Sequence, residues 1–133
     1  MLYPSFDTDN EGIYCITHKS DDIQDIYIGK TVDLRTRIRR HKYDSKQTRY
    51  NKTKLYNFVK ENGGWDMFDI ELLRPYKYDQ NNPYYDRELG NLEHNYIANY
   101  KPHLNSKSVS LYDENNKCIS TVYPDSFYVH FDV

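Results

Sequence analysis

The chain has little cysteine, little glycine and no long apolar run. Two cysteines among 133 residues, Cys15 and Cys118, are too few for a disulfide framework and lack metal-ligand spacing. His18, His41, His94, His103 and His130 are scattered, so no zinc-ligand pattern emerges from them. No stretch approaches the ~20 apolar residues needed to cross a bilayer. The first seven residues lack the charged-then-apolar order of a signal peptide. The expectation is a soluble, intracellular protein without a membrane partner. This length suits one domain with a modest core. Internal repeats and low-complexity linkers are missing as well.

A positive net charge is also missing. At −2, the whole-chain value argues against a nucleic-acid binder. That average hides a segregation. Residues 30–60 hold eleven Lys or Arg against only Asp33 and Asp44, so the window is +9 and the remainder −11. One basic face on an acidic body fits phosphate binding. A solvated, charged helix surface is the plain alternative.

What is present is concentrated between Gly12 and His41. Gly12 to Ile16 and Ile26 to Gly29 are β-branched and aromatic runs flanked by polar, turn-prone residues, which predicts two strands. The polar stretch from His18 to Asp25 is too long for a two-residue turn. A basic helix follows from near Thr31, with Thr31 or Asp33 as its cap. On it Leu34 and Ile38 share a face, and Arg37 and His41 flank that stripe. Arg37 is therefore the arginine best placed to lean toward the sheet.

Residues 43–52 read as a loop and Thr53 to Glu61 as a second helix, stopped by Asn62, Gly63 and Gly64. Trp65 to Leu73 alternates as a third strand. Tyr84 to Tyr100 carries a helical stripe of Tyr85, Leu89, Leu92, Tyr96, Ile97 and Tyr100, and Pro102 ends it. Residues 108–123 read as a hairpin. The last ten residues are aromatic-rich, and residues 1–10 are an irregular lead-in.

Glu93 lies inside the stripe of the third helix, between Leu89 and Ile97. A carboxylate on an apolar face costs several kcal/mol unless it is paired or binds a cation. A salt bridge to Arg37 or Lys30 would satisfy it, and so would a metal ion. Taken singly, Tyr14 and Tyr27 could be ordinary strand tyrosines, Gly29 a bulge, His41 a helix-end histidine and Asn105 a turn residue.

The combination is more specific. The tripeptides Gly12-Ile13-Tyr14 and Tyr27-Ile28-Gly29, then Lys30, Arg37, His41, Glu93 on a late helix and Asn105 after Pro102, resemble the GIY-YIG nuclease family across residues 12 to about 106. The resemblance implies an α+β fold: a small three-stranded antiparallel sheet flanked by helices, here with a C-terminal β-hairpin extension. Residues 1–107 would form the nuclease domain, and 108–133 a hairpin and tail packed on it. Tyr14 and Tyr27 match the motif tyrosines and Arg37 the catalytic arginine. Glu93 matches the metal-holding carboxylate. Lys30, His41 and Asn105 match positions lining the site. The thirteen residues from Tyr14 to Tyr27 are at the long end for the family.

The implied activity is metal-dependent hydrolysis of a DNA phosphodiester by water, leaving a 5′ phosphate and a 3′ hydroxyl. Mg²⁺, replaceable by Mn²⁺, would sit on Glu93. Arg37 would clamp a phosphate oxygen. Tyr14 would act as general base, its pKa lowered from ~10 by the Lys30 and Arg37 cations. Tyr27 or Lys30 would order the water. Arg35, Arg39, Arg40, Lys42, Arg49, Lys52 and Lys54 would grip DNA phosphates. Tyr43, Tyr50 and Tyr56, interleaved with them, could stack on unpaired bases or simply pack. A non-catalytic DNA-binding module and a protein-interaction domain are the other readings. A homodimer or a protein partner for targeting is compatible with a single site that must cut two strands.

Overall fold

The computed structural model describes residues 10–127; the lead-in at 1–9 and the tail at 128–133 lie outside the described residues. Strand β1 (Gly12–His18) is the centre of an antiparallel sheet, with β2 (Ile26–Thr31) on one side and β3 (Phe68–Pro75) on the other. Its alternating side chains serve two cores. Tyr14 and Ile16 join Leu55, Tyr56, Val59, Phe68 and Leu104 on one face. Ile13 and Cys15 join Ile28, Tyr85, Leu89 and Ile97 on the other. Burial on both faces explains why β1 reads as a continuous apolar run. Each fully buried Ile or Leu contributes about 1.5–3 kcal/mol.

Both strands of the hairpin run further than the sequence suggests: β2 to Thr31, which pairs with Gly12, and β1 to His18, where Thr17 pairs with Ile26 and His18 with Phe68. Helix α1 therefore starts at Leu34 and ends at Asp44. Asp33, not Thr31, is its cap, accepting the Thr36 N–H at 3.2 Å. Asn10 braces that cap, donating to Asp33 Oδ1 at 2.7 Å and accepting the Leu34 N–H at 2.8 Å. Such a cap is worth about 1 kcal/mol. It also fixes where Arg37 and His41 stand along the helix.

Helix α2 (Lys54–Glu61) packs on the Tyr14 face. The third strand begins at Phe68 rather than Trp65, because residues 65–67 form a 3₁₀ turn. The loop at 43–52 likewise holds a 3₁₀ turn over Thr48–Tyr50. Helix α3 (Tyr85–Tyr100) covers the Ile13 face. Tyr100, read as part of its stripe, is exposed. The C-terminal hairpin, β4 (Val109–Tyr112) and β5 (Cys118–Val122), forms a separate two-stranded sheet. It lies on α3, with Val109 and Val122 against the second core. Among the described residues no helix is long and apolar enough to cross a membrane.

Candidate active site

The site forms where β1 and β2 meet α1 and α3. A cleft of about 690 Å³ is lined by Tyr14, Tyr27, Lys30, Arg37, Glu93 and Asn105, among others. Residues far apart in the chain thus share one surface, Tyr14 and Asn105 for example lying 91 positions apart. A second cleft adjoins it along α1. It shares Tyr27, Arg37 and Lys107 with the first and adds His41, Arg40 and Asp44.

Tyr14 is 1 % exposed, and its hydroxyl lies 2.7 Å from His41 Nε2. His41 Nδ1 lies 2.9 Å from the Tyr56 hydroxyl. The imidazole is therefore held between two phenols, and as a neutral ring it accepts from one and donates to the other. Burial, with the Arg37 charge nearby, lowers the His41 pKa to about 4. Burial pushes Tyr56 up to about 12, with Asp44 adding to it. Tyr14 and Tyr27 are also raised, again mainly by burial. The expectation that neighbouring cations bring Tyr14 toward ionisation is thus corrected. Arg37 does pull it down, but loss of hydration and the facing Tyr27 outweigh that pull.

Glu93 is half-buried on the α3 wall. Burial raises its pKa, opposed by Lys30, Arg37, Lys107 and a backbone N–H from Lys30. Among the described residues it forms no ion pair within 4.0 Å. Its carboxylate faces the cleft cations without being closed onto one of them. Among the described residues no group of three or more His, Cys, Asp or Glu side chains is placed to hold a metal ion together. One open carboxylate suits a hard divalent cation that keeps several waters and takes further oxygens from a phosphate. The donor set fits Mg²⁺ in that sense, and does not resemble a zinc cage.

Asn105 is placed differently from a reacting group. Its Oδ1 accepts the Ile28 N–H at 2.9 Å, and its Nδ2 donates to the Ile28 carbonyl at 2.7 Å. Leu104 N–H adds a bond to Ile26 O at 3.1 Å. The side chain imitates a strand partner along the open edge of β2 and anchors the 101–107 segment there.

The remaining basic residues fall on both sides of this picture. Arg35, Lys42 and Lys52 are exposed. Arg39 reaches Thr36 at 3.2 Å, and Arg40 pairs with Asp44 at 3.2 Å beside the second cleft. Arg49 stacks over Tyr50 at 5.1 Å. Lys54 is held by bonds within the chain, donating to Asn105 O at 3.1 Å and to the exposed Asp125 at 2.8 Å. Tyr56 is buried and Tyr43 exposed.

Sequence reasoning missed Tyr56 as the partner of His41, and missed Arg87, Lys107 and Asn116 on the cleft wall. The last three fall outside the basic window, and no local pattern marks them.

A model of the GIY-YIG catalytic domain matches residues 10–107. The chain belongs to the GIY-YIG family. That GIY-YIG match covers both motif strands, α1, α3 and Asn105, and so carries the chain into a family of nucleases. No curated protein and no solved structure matches it. A nuclease domain implies DNA as the substrate, and the cleft at the GIY-YIG strands is the place to look for its chemistry.

Proposed function

We propose that the protein is a metal-dependent DNA endonuclease that cuts by water attack, leaving a 5′ phosphate and a 3′ hydroxyl. The observation that carries this reading is the convergence of Tyr14, Arg37 and Glu93 on one cleft, with neutral His41 hydrogen-bonded to Tyr14.

Glu93 would hold Mg²⁺, or Mn²⁺ in its place. The ion would supply charge neutralisation at the scissile phosphate and at its leaving 3′ oxygen. Arg37 binds a non-bridging phosphate oxygen through charge-assisted bonds. Tyr14 takes a proton from the attacking water as its own proton passes to His41 Nε2. The water oxygen bonds to phosphorus while the P–O3′ bond breaks, and the departing O3′ takes up a proton from solvent water to become the 3′ hydroxyl. A neutral imidazole is required for that transfer, and the lowered pKa of His41 keeps it neutral across the physiological range. This relay replaces a resting tyrosinate, which burial disfavours. Lys30 and Tyr27 line the same cleft, where they would order the attacking water. Asn105 acts as a positioning residue through Ile28.

Arg35, Arg39, Arg40, Lys42, Arg49 and Lys52 would hold phosphates along α1 and the following loop, setting register without reading sequence. Lys54 contributes less directly, through its brace on Asn105. With one site per chain, two-strand cutting takes two successive nicks or a homodimer, and a protein partner could direct it.

The test is cleavage of supercoiled plasmid and a branched oligonucleotide with Mg²⁺ or Mn²⁺. EDTA and Glu93→Ala serve as controls. Nicking that requires the metal and disappears in Glu93→Ala supports the reading. Cleavage that survives Glu93→Ala overturns the site assignment. Salt-sensitive DNA binding with no cleavage points to a non-catalytic binding module.

A further inference from the structure

The family match stops at Lys107, but the cleft continues. Its far wall comes from β4 and the β4–β5 turn, where Ser110, Tyr112 and Asn116 line the same cavity as Tyr14 and Glu93. Two cations stand there: Arg87 from α3 and Lys107 from the segment entering β4. Lys107 also borders the second cleft, so it stands where the two meet.

The wall is built rather than draped. Asn91 of α3 bonds the Tyr112 backbone in both directions, donating to its carbonyl at 2.8 Å and accepting its N–H at 2.9 Å. Arg87 Nη1 donates to Glu114 O at 3.0 Å and to Asn116 Oδ1 at 3.1 Å. Its guanidinium lies over the Tyr84 ring at 4.6 Å. Those bonds use one nitrogen of a group with five donors. The hairpin is thereby tied to α3, the helix that also carries Glu93.

Charge gives this wall its meaning. The chain as a whole is −2, yet the cleft is lined by Lys30, Arg37, Arg87 and Lys107 against Asp86 and Glu93. A cationic cleft in an anionic protein focuses an anionic polymer into itself and repels it elsewhere. Half of those cations come from outside the basic window at 30–60.

We propose that the β4–β5 hairpin, with Lys107 and Arg87, is a second backbone-gripping wall. It holds DNA phosphates next to the scissile one on the α3 side, while the arginines of α1 hold the other side. This rests on the nuclease reading above.

The experiment measures binding of the full chain to a fluorescent duplex oligonucleotide by anisotropy, in EDTA, across a KCl series. Each phosphate contact contributes about 0.9 to the slope of log K against log salt. Lys107→Ala should lower the slope by about 0.9 and weaken binding equally for unrelated sequences. Lys107→Arg should restore it, which separates loss of charge from loss of folding. Arg87→Ala combined with Lys107→Ala should lower the slope by about 1.8. Lys77→Ala, exposed and away from the cleft lining, should match wild type. Unchanged slopes in both cleft variants, with wild type binding and cutting DNA, would overturn the wall and leave the nuclease reading standing. A wild-type chain that neither binds nor cuts DNA would overturn the nuclease reading, and the wall with it.

Discussion

The Tyr14 ring lies across Gly29. The two residues face each other on β1 and β2, and a Cβ added to Gly29 would sit 2.6 Å from the Tyr14 hydroxyl oxygen and 2.7 Å from the ring carbon that bears it. Gly29 is there for space, since its backbone is ordinary strand. Gly12, in contrast, has φ +139°, and an added Cβ would also run into the Arg74 carbonyl. Gly29→Ala should therefore push the Tyr14 phenol off His41. Overpacking of this kind costs about 1–3 kcal/mol, and a displacement near 1 Å can cost roughly 100-fold in rate. Thermal melts and cleavage rates check this. A variant with full activity would show that Tyr14's position is not critical.

His41 gives a pH signature. Its ordinary pKa of 6.5 falls to about 4 in the fold, so the unfolded chain binds the extra proton first as pH drops. Stability is thus fully present above pH 6.5, falls between 6.5 and about 4, and loses this contribution below. The contribution is on the order of 3 kcal/mol. Melting temperatures of wild type and His41→Gln should converge as pH falls through this window, and parallel curves would contradict it. His41→Gln should also lose most cleavage at pH 7.

Arg37→Ala should abolish cleavage while leaving DNA binding nearly intact, because one phosphate contact among many is lost but the reacting phosphate is no longer clamped. Arg37→Lys should recover little, since a point charge cannot reproduce a planar fork. Anisotropy and plasmid nicking separate the two effects. Equal loss of binding and cleavage would count against a chemical role.

Asn105→Ala should act on stability first. It leaves the Ile28 N–H and carbonyl without their side-chain partners, and Ile28 is fully buried. A buried group stripped of its partner costs about 1–3 kcal/mol. Cleavage by the fraction that stays folded should persist at low temperature. Unchanged melting with complete loss of cleavage would instead assign Asn105 to the chemistry.

Much of the fold is legible in the chain because its signals are local. β-branched runs, the Asp33 cap, the helical stripe on α3 and the stop at Pro102 each act within a few residues. Element ends were less legible. Pairing across the sheet extends β1 and β2, and a 3₁₀ turn over Trp65–Met67 delays β3. The residue types and order around Tyr14, Tyr27, Arg37 and Glu93 likewise stand in the sequence itself.

Only the tertiary structure decides what state those groups are in. Nothing near Tyr14 in sequence says that it will be 1 % exposed, so charge alone points the wrong way for its pKa. His41 is neutral because the packing of β1, α1 and α2 removes water from it. Asn105 is engaged by Ile28, 77 positions earlier, and Arg87 and Lys107 join the cleft only because the hairpin folds onto α3. Local propensity can choose a strand or a helix, but hydration and charge at a site depend on what the whole chain brings around it.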